Sequence, residues 1–225
     1  MLDTVKRESI YQPRQPGLKF PEKPVFATHA EERRHRQQRL VAACRAFAVH
    51  GLDYGFAGHL TIRDPEHPEL YWTNPMAVHF AQVRLGNLIL ADHKGRVVQG
   101  SHAINRAGFV LHAAVHEAHP DILAMCHAHT VYGVAYAALG RPLPPVTQDA
   151  CAFFEDHVVI SDEGGKVAVE EQAGHNFAAA FKGVKAAIHQ NHGLITASRH
   201  SIEAAAFWFI ALERCCQQQL MLDAT

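Results

Sequence analysis

A short apolar run, Ile122-Leu123-Ala124-Met125-Cys126, follows the turn residues His119-Pro120-Asp121 and closes on His127-Ala128-His129-Thr130. Five apolar residues bounded by a turn signal read as a buried strand rather than a helix. Side chains alternate along a strand, so His127 and His129 share a face, their Cα atoms about 6–7 Å apart. Two imidazoles at that separation can chelate one divalent cation through bonds of about 2.0–2.1 Å. A third ligand must come from elsewhere in the chain. His192, in Gln190-Asn191-His192-Gly193 at the end of a second apolar strand, is the candidate. Spacing alone decides little, because 18 histidines in 225 residues give such a pair by chance about once or twice. Position carries more: the pair ends a strand where a helix begins, the usual place for sites in α/β folds.

Around this strand the chain alternates between helical and extended patterns. Residues 30–50 carry apolar residues at spacings of three and four (Leu40, Val41, Cys44, Phe47, Ala48), and Gly51 ends the run as a helix-terminal glycine does. A glycine-containing loop then leads into an alternating strand, Leu60-Thr61-Ile62-Arg63. Leu70-Tyr71-Trp72 is a short extended segment in a proline-rich loop, and 87–92 with 96–99 form a hairpin. Residues 105–118 have helical period, with Phe109, Val110, Ala113 and Ala114 on one side. His112 and His116, four apart, share a face there, but Ala113 rules out the His-Glu-x-x-His zinc signature. Residues 131–139 predict a helix, 148–156 a loop, 157–160 a strand, 171–181 a helix, 185–189 and 193–196 strands, and 201–222 a final helix. Interspersed helices and short strands, several hairpin-linked, predict an α/β sandwich on a central, mainly antiparallel sheet. Residues 1–26, with four prolines, read as an extended arm laid on the body or on a neighbouring subunit, and 27–225 as one domain.

The totals exclude several classes of function. A net charge of −1 and a pI near 7.0 give no electrostatic footprint for nucleic acid or an anionic membrane. Five cysteines without paired spacing argue for a reducing compartment, and the first residues lack the apolar core of a signal peptide. The expectation is a cytoplasmic protein acting on a small molecule. The histidine content stands out. Since neutral imidazole is the ligand form, a site built from it weakens as pH falls.

The series Asn105-Arg106-Ala107-Gly108, His112, His119-Pro120-Asp121, His127-Ala128-His129 and Gln190-Asn191-His192-Gly193-Leu194 resembles the class II aldolase/adducin family, in order and spacing, from about Arg39 to Leu220. That resemblance implies a three-layer αβα sandwich and one divalent ion per subunit on His127, His129 and His192. Zinc is the first expectation, with Fe(II), manganese or cobalt as alternatives, since imidazole binds them all. It also implies a homo-oligomer, a tetramer in most members. Three departures separate this chain from the family's sugar-phosphate aldolases. Their acid/base glutamate falls on Gly108, their two phosphate-holding serines on Arg106 and Ala107, and their catalytic tyrosine near Gln148. Arg106 and Gln148 are therefore candidate substrate contacts. His59 stands where those aldolases usually carry asparagine and is the candidate catalytic residue. The resemblance implies a metal-dependent carbon–carbon lyase acting on a small oxygenated acid or sugar derivative. Two alternatives share the missing glutamate: an Fe(II)-dependent oxidative decarboxylase of an aromatic acid, and a non-catalytic, adducin-like assembly module.

Overall fold

The computed structural model describes residues 15–20, 22–161 and 171–225. Eight strands form one sheet in the order β4-β3-β2-β1-β5-β8-β7-β6. In chain order they are β1 (Gly58–Arg63), β2 (Leu70–Thr73), β3 (Ile89–Asp92), β4 (Val97–Gln99), β5 (Ala124–Ala128), β6 (His157–Ile160), β7 (Ala186–His189) and β8 (Gly193–Ser198). Every pairing is antiparallel except β6 with β7. The helices are α1 (His29–Val49), α2 (Arg106–Ala118), α3 (Val131–Ala137), α4 (Gln148–Cys151), α5 (Glu171–Phe181) and α6 (Ile202–Asp223). The fold is an αβα sandwich with α1, α3, α4 and α6 over one face and α2 and α5 over the other.

Strand alternation divides the interior into two cores. On β1 and β5, Leu60, Ile62, Ala124, Cys126 and Ala128 face the α1/α6 layer, where Leu40, Cys44, Phe47, Phe209 and Leu212 complete the larger core. Met125, Ala187, Ile195 and Ala197 face the other way and pack with Leu111, Val115, Phe177 and Phe181 of α2 and α5. His59, Thr61 and His127 therefore belong to the α2/α5 side of the sheet. Cys126 packs in the larger core, as its alternation predicts.

Side chains settle the helix starts. Thr28 accepts from the Glu31 backbone N–H, Asn105 from Gly108, Thr147 from Ala150 and Ser201 from Ala204, each supplying a partner for an otherwise orphaned first-turn donor.

Several boundaries differ from the sequence reading. The central strand begins at Ala124 rather than Ile122 and runs to Ala128, because the Ile122 N–H still donates to the His119 carbonyl in the turn and its own carbonyl is taken by the His116 and Arg63 side chains. Residues 148–151, read as loop, form the one-turn helix α4, capped by Thr147. Two short 3-10 turns, at Phe80–Gln82 and Leu85–Asn87, precede β3. Of the proline-containing arm, residues 1–14 and 21 lie outside the described residues. Residues 22–24 and Phe26 line a cavity of about 600 Å³ against α1 and the start of α6.

Candidate metal centre

The antiparallel pairing of β1, β5 and β8 builds the site. β1 sets His59 directly opposite His127 of β5, and β5 sets His127 opposite Ile195 of β8. His129 follows one residue beyond the end of β5, at the entry to α3. His192 arrives through the tight turn joining β7 to β8, in which its backbone N–H donates to the His189 carbonyl at 3.0 Å. That turn explains the Asn-His-Gly string. Asn191 sits at φ 59° and Gly193 at φ 151°, conformations that asparagine and glycine tolerate best.

One ring nitrogen from each of His127, His129 and His192 lies within 4.8 Å of the others. The three rings pack edge to face, with centroids 4.8–5.0 Å apart. Two metal–nitrogen bonds of about 2.1 Å at a tetrahedral angle hold their nitrogens about 3.4 Å apart, so the three rings would draw in from this spacing to share one ion. The environment prepares them as ligands. His127 Nδ1 lies 2.8 Å from the Leu194 carbonyl oxygen. A carbonyl only accepts, so Nδ1 carries the proton and Nε2 is left with its lone pair, the usual outer-shell control of a ligating histidine. Burial, and then the neighbouring imidazoles, hold His127 well below the ordinary histidine range, and burial lowers His129 too. Both stay neutral at pH 7.

His59 adjoins this cluster. Its ring centroid is 5.1 Å from that of His127 and 4.1 Å from that of His112. It is 4% exposed; its ring nitrogens bond to no other side chain among the described residues, and the Gly108 backbone is the polar group beside them. Burial is the main cause of its strongly lowered pKa. Gly108 explains how the ring fits: a Cβ added there would stand 2.2 Å from Cε1 and 2.4 Å from Nδ1 of His59. The imidazole occupies the volume in which any side chain at position 108 would begin.

The remaining candidates lie elsewhere. Arg106 lines a surface cavity of about 230 Å³ with His93, Lys94, Val110, Glu117 and His175, on the outer side of α2. Gln148 is exposed at the start of α4. The structure brings neither to the three histidines within this chain. The His112/His116 pair is engaged by Thr61, whose Oγ1 is 2.9 Å from His112 Nδ1 and 3.0 Å from His116 Nε2.

One neighbour of the site escaped the sequence reading. Glu213 of α6, 7% exposed, accepts from Thr130 Oγ1 at 2.5 Å, Tyr132 N at 3.1 Å and Gly133 N at 2.7 Å. Its carboxylate caps the N-terminus of α3, where the Thr130 side chain makes no cap bond of its own. It thereby fixes the backbone immediately after His129. The available signal was a lone acid amid the apolar positions of a buried helix.

Residues 38–220 match the class II aldolase and adducin N-terminal domain. The chain belongs to that family. It is 44% identical over 207 residues to the decarboxylase NovR of Streptomyces niveus, covering 91% of this chain and 76% of that protein. At the same identity and length it resembles a 4-hydroxy-3-prenylphenylpyruvate oxygenase/4-hydroxy-3-prenylbenzoate synthase of Streptomyces roseochromogenus, covering 91% of this chain and 74% of the relative. Among solved structures, an L-fuculose 1-phosphate aldolase from Glaciozyma antarctica superposes with a TM-score of 0.83 at 42% identity, covering 90% of this chain and 79% of that one. These findings support a lyase or decarboxylase of the class II aldolase family. Among the described residues no helix is long and apolar enough to cross a membrane.

Proposed function

We propose that this class II aldolase-family chain is a metal-dependent carbon–carbon lyase that cleaves or decarboxylates a small oxygenated acid at the bond whose electron pair a metal-held carbonyl can accept, as in a 3-oxo acid. The observation that carries the reading is the gathered His127/His129/His192 cluster beside a position 108 that bears no side chain. Three neutral imidazoles would hold a divalent ion with coordination positions open, as a catalytic metal requires. Such an ion supplies a Lewis acid for a carboxylate and its neighbouring oxygen. With no carboxylate among the ligands, its full double charge is available to an anionic substrate. Gly108 cannot transfer a proton, so the acid/base step of the sugar-phosphate aldolases has no residue at that place. Ala107 offers no hydroxyl for a phosphate. Both features favour decarboxylation over phosphosugar cleavage, as does the likeness to two relatives whose names denote decarboxylation or 2-oxo acid oxygenation. His59 is the buried polar group placed to contact substrate. Arg106 and Gln148 would contribute only at a boundary between subunits, in a homo-oligomer with one ion per chain. Light scattering that shows a monomer would remove them from the site.

A second reading has its own support. The name of one relative contains "oxygenase", and the three-histidine set accepts Fe(II) as readily as zinc. Assays of CO₂ release from 3-oxo acids and from aromatic 2-oxo and 2-hydroxy acids, with and without air, separate the two. Release that persists under nitrogen marks the lyase. Release that requires oxygen and added Fe(II) marks the oxidative decarboxylase. Absence of release with every acid and metal under both atmospheres would overturn the enzyme assignment.

A further inference from the structure

The α2 side of β1 holds a chain of groups that the metal cluster does not use. Successive inward residues of β1, His59 and Thr61, are two apart, about 6.6 Å along a strand. The facing residues of α2, Gly108, His112 and His116, are four apart, about 6 Å along a helix. The two periods match, so each strand side chain sits between two helix positions. His59 lies between Gly108 and His112, and Thr61 between His112 and His116. Arg63 extends the series by donating from Nη2 to the His116 carbonyl at 2.8 Å.

Counting protons along this chain fixes donors and acceptors as far as His112. His116 Nδ1 is 3.1 Å from the Ile122 carbonyl oxygen, which can only accept, so Nδ1 bears the proton. Burial holds His116 down to about 3, so the ring is neutral and its Nε2 is a lone pair. The Thr61 hydroxyl must donate its single hydrogen there. Its oxygen then accepts from His112, which places the His112 proton on Nδ1. Burial keeps His112 neutral also. His112 Nε2 is therefore a bare lone pair in the interior, and it has no partner among the described residues. The ring in contact with it is His59, which also faces the Gly108 backbone.

We infer that Ile122, His116 and Thr61 form a tautomer lock on His112, which holds its proton on Nδ1 and leaves Nε2 an unprotonated lone pair beside the His59 ring. The lock thus sets the polarity of what His59 packs against on its α2 side, in contact at 4.1 Å between ring centroids. Thr61 and His116 are positioning residues acting through His112. On the reading of the site given above, His59 stands between this lock and the three-histidine cluster, its ring centroid 5.1 Å from that of His127.

The test is ring-nitrogen NMR of the full-length protein, labelled with ¹⁵N at histidine and stripped of metal with chelator, at neutral pH. Loss of signals in His112→Gln and His116→Gln assigns the two rings. The expected spectrum shows both as single neutral tautomers, protonated at Nδ1 with pyridine-type Nε2. Thr61→Ser keeps that pattern, whereas Thr61→Val moves the His112 nitrogens to averaged positions. A His112 proton on Nε2, or a Thr61→Val spectrum identical to the unaltered protein at His112, overturns the inference. The wild-type and Thr61→Ser spectra decide even where Thr61→Val folds poorly. Because the readout uses neither metal nor turnover, failure of the lock is distinguishable from failure of the enzyme assignment.

Discussion

The imidazole of His59 fills the space that a side chain on Gly108 would need, with 2.2 Å between His59 Cε1 and the place of a Cβ at 108. A helix-interior glycine replaced by alanine ordinarily gains about 0.5–1 kcal/mol. Here Gly108→Ala is expected to lose stability, by about 1–3 kcal/mol, because a buried ring must leave its place. His59→Asn combined with Gly108→Ala is expected to recover most of that loss. Denaturant midpoints of the three variants check this. Equal or raised stability in Gly108→Ala alone would show that the ring yields without cost.

Four buried neutral histidines make the fold sensitive to acid. Burial depresses His59, His112, His116 and His127 below their unfolded value of about 6.5. Their contribution is complete above that value and is lost as pH falls, since the unfolded chain takes up protons that the native chain refuses. Each proton taken up by the unfolded chain alone costs about 1.4 kcal/mol per pH unit below 6.5 until the native group itself titrates. The metal-free protein is therefore expected to unfold cooperatively near pH 5. Thermal melts from pH 8 to 4 measure it, and a flat profile down to pH 4 would contradict the buried neutral cluster.

A second anchor acts at lower pH. Asp64, 2% exposed, accepts from Arg33 Nε at 2.7 Å, Trp72 Nε1 at 2.8 Å and the backbone N–H groups of Glu66 and His67. These bonds outweigh its burial and hold its carboxyl far below the usual range. Its contribution is present above about pH 4 and fades only below it. Asp64→Asn is expected to cost about 2–3 kcal/mol at pH 7. It should leave the histidine-driven step near pH 5 in place, which urea titrations at the two pH values would show.

Glu213 is expected to tune the metal without touching it. Glu213→Gln keeps the shape but weakens the charged cap on α3, and with it the setting of His129. Second-shell changes of this kind lower metal affinity about 10–100-fold. Competition with a chromogenic chelator reads the constant. An unchanged affinity, with the fold intact, would make Glu213 a stabilising cap and nothing more.

What the sequence disclosed and what it hid follow from the range of the interactions. His127, His129 and His192 stand beside local signals, a strand end and an Asn-x-Gly turn, and could be read from residues near them. So could most strands and helices, whose periods are written over short windows. The missing glutamate at Gly108 was legible as an absence, yet nothing local shows that His59 supplies the filling. That depends on β1 meeting α2 in one register. Thr61 reads as an ordinary strand residue, and its role needs two helix histidines some fifty positions away. Glu213 lies still further along, eighty residues from the helix it caps. Short α4 was missed because one turn held by Thr147 carries no apolar period.

The most direct test of the central claim is elemental analysis of the untagged protein, purified without chelator and compared with His129→Ala. The account predicts about one divalent ion per chain in the unaltered protein, and its loss in His129→Ala with the fold retained by circular dichroism. Iron in that position would point to the oxidative reaction, and zinc, manganese or cobalt to the redox-inert lyase. Stoichiometric metal retained by His129→Ala, or none bound by the unaltered protein even after reconstitution, would contradict the three-histidine centre.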